Sequence, residues 1–183
     1  MTREQAWNIL TEYTKTDSLL KHALAVEAAM RAYALKFNED EELWAAVGLI
    51  HDFDYEMFPD EHPMKGSAIL AEKGIPEDIR IAILGHAQFS GVPRTSLMAK
   101  TLFAVDELCG FLMAVTLVRP TKSLSEVGLK SVKKKLKDKS FAAKVNRHEI
   151  TAGAEELGVN FDDHIMFVLK SLSGIAKDIG LNP

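Results

Sequence analysis

Cysteine is almost missing from this chain of 183 residues: Cys109 stands alone. One thiol can form neither an intramolecular disulfide nor a CxxC zinc site, which excludes the framework of a small secreted domain. Long apolar runs are missing too. The N-terminal segment Met1-Thr-Arg-Glu-Gln-Ala-Trp has nothing of a signal peptide's apolar core. The longest apolar stretch, Leu97–Val118, is broken by Lys100, Asp106 and Glu107, charges that are costly at a bilayer centre. The expectation is a cytoplasmic protein with no membrane partner. Positive charge is in deficit, with 22 Lys and Arg against 26 Asp and Glu and a net charge of −4. That balance argues against a stable nucleic-acid partner. Strand-like alternation, internal repeats and low-complexity linkers are all absent.

What is present reads at helical period, so the expected class is all-α. At 47% hydrophobic residues the chain can bury the core of one domain, with or without a small appendage. Thr2 and Gln5 form a capping-box pattern for a first helix to about Tyr13. Asp17 or Ser18 is placed to cap a second, ending near Phe37. Its apolar face carries Leu19, His22, Ala23, Val26, Met30, Tyr33 and Phe37. A third begins near Asp40 and runs into His51-Asp52. Pro63 and Pro76 suit the first turns of two shorter helices, the first stopped by Gly74 and the second reaching about Ala87. Gly91 and Pro93 mark a loop before a long apolar helix over Leu97–Val118, which Pro120 closes. Ser123 and Glu126 read as a second capping box, opening a basic helix to about Lys137. Two more helices are predicted over Ser140–Leu157 and Phe161–Ile179. The organisation expected is a helical domain over 1–120 with a C-terminal helical extension, 121–183, packed on it.

The one composition shift is basic. Between Arg119 and Arg147 there are ten Lys and Arg residues against Glu126 and Asp138. Such a stretch is either a rim that attracts anionic substrates or a solvated face, and with few aromatics between the lysines the solvated face is favoured.

The chemistry is concentrated in histidines and two aspartates. A lone His22 on an apolar face is commonly a core residue with one hydrogen bond, and His51-Asp52 at a helix end has an equally ordinary reading. Asp106 is harder to treat so, because Leu102, Phe103, Val105, Leu108, Cys109, Leu112 and Met113 surround it at helical spacing. A buried carboxylate costs several kcal/mol unless it is protonated, paired or metal-bound. Four of the six histidines, His22, His51, His62 and His86, lie in the first half on or beside apolar helix faces. With Asp52 and Asp106 they form a mixed His/Asp set suited to divalent Mn, Fe, Co, Ni or Zn, spread over several helices as in bundle metal sites. His148 and His164, in polar company near the C-terminus, read as ordinary.

The order His22, His51-Asp52, Asp106 resembles the H…HD…D signature of the HD-domain superfamily of metal-dependent phosphohydrolases. The resemblance covers roughly residues 16 to 119 and implies a helical HD-domain bundle with additional C-terminal helices. It also implies that His22, His51, Asp52 and Asp106 hold a divalent ion, with His51 and Asp52 at the catalytic centre. His62-Pro63-Met64-Lys65-Gly66 and Gly85-His86 resemble the extra histidine positions of binuclear members, so His62 and His86 would complete a second site beside a bridging Asp52. The implied reaction is attack of a metal-activated water on a small phosphorylated metabolite or nucleotide. Lys21, Lys65, Arg94 and Lys100 are the candidates to meet its phosphate. Two departures narrow the subgroup. Many members follow HD with a short run ending in lysine, where this chain has Phe53-Asp54-Tyr55-Glu56, and the Gly-Tyr-Pro extension of the cyclic-dinucleotide phosphodiesterases is absent. A di-iron oxygenase of the same superfamily and a non-catalytic ligand-binding domain are the alternatives.

Overall fold

Short polar side chains start most of the helices. In the computed structural model, which describes residues 1–183, these are α1 (Arg3–Tyr13), α2 (Asp17–Phe37), α3 (Glu41–Ile50), α4 (Met64–Glu72), α5 (Glu77–Leu84), α6 (Leu97–Leu117), α7 (Leu129–Lys137), α8 (Arg147–Leu157) and α9 (Phe161–Ser173). The chain is all-α; its only β-type pairing is an isolated bridge between Ser123 and Asn182. Thr2 and Gln5 close the expected capping box on α1. Asp40, Ser96, Asn146 and Asn160 each accept a backbone N–H at the start of α3, α6, α8 and α9. These bonds satisfy donors that the first helical turn leaves without partners.

Helix α6 lies at the centre, its apolar side chains buried on almost every face. α2 and α8 pack against it, and α3 packs against α2. A Cβ on Gly48 would stand 2.9 Å from both Met30 Cγ and the Val26 carbonyl oxygen. Only glycine therefore allows α3 to approach α2 this closely, and that approach brings the end of α3 beside His22. The apolar core is continuous from Ala6 to Leu181. No helix is long and apolar enough to cross a membrane.

Several boundaries differ from the sequence expectation, most of them where a side chain from outside the helix takes up backbone groups. Thr16, not Asp17 or Ser18, is the N-cap of α2, and it makes no side-chain cap. The carboxylate of Glu56 instead accepts the Lys15 and Thr16 N–H groups, at 2.9 and 3.0 Å. α5 stops at Leu84 because its last carbonyls are taken by side chains further along. His86 Nδ1 bonds Ile83 O, Ser90 Oγ bonds Leu84 O and Arg94 bonds Gly85 O. Ser123 does not form a capping box with Glu126; its hydroxyl donates to Pro183 O at 2.6 Å, residues Leu124–Glu126 form a 3-10 turn, and α7 starts only after Gly128. Residues 140–146 are turns rather than helix, gathered by the Arg147 guanidinium, which donates to the carbonyls of Asp138, Phe141, Ala142 and Val145. α9 ends at Ser173, and turns carry the chain to Gly180.

Candidate metal centre

Five local structures deliver six side chains to one place. His22 comes from the second turn of α2 and Asp106 from the middle of α6. His51 caps the C-terminus of α3 and Asp52 follows it. His62 precedes α4 in a turn, and His86 follows α5. The turn after His51-Asp52 is held down by Thr14 Oγ1 donating to Phe53 O at 2.9 Å and by the buried Phe53 ring against Tyr13.

The six fall into two groups that share Asp52. In the first, Asp106 Oδ1 lies 2.9 Å from His22 Nε2 and 3.3 Å from His51 Nε2, while Asp52 Oδ2 lies 3.5 Å from His51 Nε2. In the second, Asp52 Oδ1 lies 3.1 Å from His86 Nε2 and 3.3 Å from His62 Nε2. The two oxygens of one carboxylate thus face two different sets of imidazoles.

Each buried imidazole is aimed by a bond at its other nitrogen. His51 Nδ1 bonds Gly48 O at 2.7 Å, His86 Nδ1 bonds Ile83 O at 2.5 Å, and His62 Nδ1 bonds Asp54 Oδ1 at 2.8 Å. With Nδ1 donating, Nε2 presents its lone pair inward, the tautomer a metal ligand requires. His51 Nε2 is fully buried and is the one buried imidazole nitrogen without a hydrogen-bond partner. Asp106 Oδ1, at 3.3 Å, is its nearest carboxylate oxygen. An orphaned nitrogen, two carboxylates and three further imidazoles fit a divalent transition ion.

The charges point the same way. Burial disfavours a charged His51, yet Asp52 and Asp106 outweigh it and hold its pKa up at about 9. His86 is likewise raised: burial opposes its charge, and the bond to Asp52 outweighs it. Burial would raise both aspartates, but the neighbouring histidines hold them well below the usual carboxylate range. Without an ion, a proton on His51 offsets part of the charge of the buried carboxylates. A cation bound there displaces that proton. Glu107, next to Asp106, is pushed up to about 7 by burial and by the Asp106 charge.

Asp54 is a residue of this site that the sequence reading did not single out. Only 1% exposed, it accepts from His62 Nδ1 through one oxygen and from the Gly66 N–H, at 2.7 Å, through the other. A Cβ on Gly66 would fall 2.6 Å from the Asp54 carboxyl carbon, so glycine is required where α4 meets this carboxylate. Asp54 therefore fixes both the ring plane and the tautomer of His62.

The four cations named as phosphate partners are not drawn in the same way, and none pairs with Asp52 or Asp106. Lys21 pairs with Asp17 at 2.6 Å, the Lys65 ammonium lies over the Phe58 ring, and Lys100 is half-buried on α6. Arg94 is committed: it bonds both Glu156 oxygens, Gly85 O and Gln88 Oε1, and stacks 3.7 Å from the Phe103 centroid. It ties the loop carrying His86 to α8. His148 is exposed, as expected, but His164 is not in polar surroundings. It is buried between the Tyr33 hydroxyl, at 2.6 Å, and Ala104 O, at 2.9 Å, as a strut between α2, α9 and α6.

Helical bundles can build metal sites from side chains that converge from facing helices, and this bundle brings together histidines and aspartates that could hold an ion. Residues 19–109 match the family model described as HD domain, and all six clustered residues lie within that span. The chain belongs to the HD-domain superfamily, whose members include metal-dependent hydrolases. No curated protein and no solved structure matched it.

Proposed function

We propose that this protein is a metal-dependent phosphohydrolase, a phosphomonoesterase or phosphodiesterase of a small phosphorylated metabolite or nucleotide. The observation that carries this reading is the division of Asp52, with Oδ2 toward His51 and Oδ1 toward His62 and His86. That is the arrangement of a carboxylate shared by two ions. His22, His51 and Asp106 would complete one ion's ligands, and His62 and His86 the other's. Divalent ions held there supply Lewis acidity and a water whose pKa falls toward neutrality.

The protein's own contribution is orientation and charge. Gly48 O, Ile83 O and Asp54 hold three imidazoles in the ligating tautomer before any substrate arrives. Lys65 and Lys100, which make no ion pair, are the ammonium groups this reading offers to phosphate oxygens, Lys21 would have to leave Asp17 to join them, and Arg94 acts on the loop rather than on substrate. The same reading places the protein in the cytoplasm, without a membrane or stable nucleic-acid partner, and treats 121–183 as an extension packed on 1–120. The basic helix α7 is then a solvated face; Lys133 already pairs with Asp162 at 2.9 Å.

Hydrolysis of p-nitrophenyl phosphate and a nucleotide panel with added Mn, Co or Ni tests the reading. Activity is expected in the parent protein and lost in Asp52→Ala; activity unchanged in that variant overturns it. Two irons per chain with no phosphatase activity would indicate oxidative chemistry on the same ligands.

A further inference from the structure

Of the fourteen Phe, Tyr and Trp residues, only Tyr55 and Phe89 are exposed, at 46% and 76%. Both lie against the same side chain. The Tyr55 ring centroid is 5.5 Å from that of His62, and the Phe89 centroid is 6.5 Å from it. Each ring stands steeply to the imidazole, at 89° and 61°, rather than stacked on it. Their positions in sequence are matched as well: Tyr55 lies three residues after Asp52, and Phe89 three residues after His86.

Neither ring is on a loose loop. The Tyr55 N–H donates to Asp52 O, and the next residue, Glu56, is anchored to the Lys15 and Thr16 backbone. Phe89 sits in the 3-10 turn Gln88–Ser90, braced by Ser90 Oγ on Leu84 O and by Arg94 on Gly85 O and Gln88 Oε1. Large aromatic surface held rigidly in water beside a polar site offers a stacking platform at little ordering cost on binding.

From this we infer that the substrate carries a planar aromatic ring, a nucleobase or aryl group, which stacks on Phe89 and Tyr55 while its phosphate meets the Asp52 centre. The inference rests on the phosphohydrolase reading and names its substrate class. Neither ring presents a dense array of donors and acceptors, so the platform selects flatness and leaves the ring's identity loosely specified.

Binding can be measured apart from turnover, by calorimetry on the Mn-loaded protein with phenylphosphonate, cyclohexylphosphonate and methylphosphonate. Phenylphosphonate is expected to bind about tenfold or more tighter than the other two, the range that stacking on one aromatic side chain gives. Phe89→Ala with Tyr55→Ala should remove that preference and leave methylphosphonate unchanged; Phe89→Trp should keep it. Both positions are exposed, so unchanged methylphosphonate affinity also reports intact folding and metal loading. Equal affinity for all three probes, a cyclohexyl group as good as phenyl, or a preference surviving the double variant overturns the inference and leaves the hydrolase reading standing. Failure of every phosphonate to bind the metal-loaded protein overturns both.

Discussion

The two His/Asp groups that share Asp52 are built differently. The first rests on helices: His22 on α2, His51 at the end of α3 and Asp106 on α6, elements packed around the central helix and locked by the close approach at Gly48. The second rests on turns. His62 and His86 lie between helices, and their rings are aimed by Asp54 and by the capped end of α5. A helix-borne ligand is positioned by the packing of the core, whereas a turn-borne ligand depends on a few named hydrogen bonds. The first group should therefore tolerate changes around it, and the second should fail when one supporting bond is lost.

The comparison breaks most completely at the shared residue. Asp52→Ala removes a ligand from both groups, and phosphatase activity is expected to fall by more than about a hundredfold, beyond the loss typical of a supporting residue. Next in size are the changes confined to one group. His22→Ala should weaken the ion held by Asp106 while His62 and His86 retain theirs, which a two-step metal titration resolves. Asp54→Asn leaves all six ligands in place but alters the acceptor that aims His62. The second ion's affinity should drop about 10- to 100-fold, with the first unchanged. Equal loss at both steps would mean that the two groups are not separately supported.

The smallest effect is one of pH on the metal-free protein. His51 is raised from its ordinary 6.5 to about 9 by the carboxylates that outweigh its burial. A raised histidine contributes stability that is complete below pH 6.5 and is lost as pH climbs through 9. The melting temperature of metal-free protein should therefore decline across that window, and saturating Mn should flatten the decline. A melting temperature that rises between pH 6.5 and 9 would contradict a protonated His51 facing Asp52 and Asp106.

How legible each group was follows from the same difference. Asp106 stands out because an apolar helix face makes a carboxylate conspicuous; His22 and His51-Asp52 have ordinary readings one by one, and it is their order with Asp106 that carries the family resemblance. His62 and His86 belonged to the same His/Asp set, but their place in a second group was readable only through that resemblance, since turns have no period against which a histidine stands out. Asp54 was missed because a carboxylate in a turn reads as solvated. Its partners are eight and twelve residues away, and the one local signal was a glycine inside α4, at position 66. His164 was misread for a related reason: Asn160, Asp162 and Asp163 give it polar neighbours in sequence, but its ring points inward to Tyr33 and Ala104. After Pro120 the boundaries depend on pairings such as Ser123 with Pro183 and Arg147 with the carbonyls before it, and periodicity does not encode them.

The division of Asp52 between two groups is the central claim, and metal stoichiometry tests it most directly. Protein stripped of metal, titrated with Mn and analysed for bound ion after desalting, should hold two ions per chain, with Asp54→Asn holding one tightly and the second weakly. A parent protein that never exceeds one ion per chain, with an affinity that Asp54→Asn leaves unchanged, would contradict it.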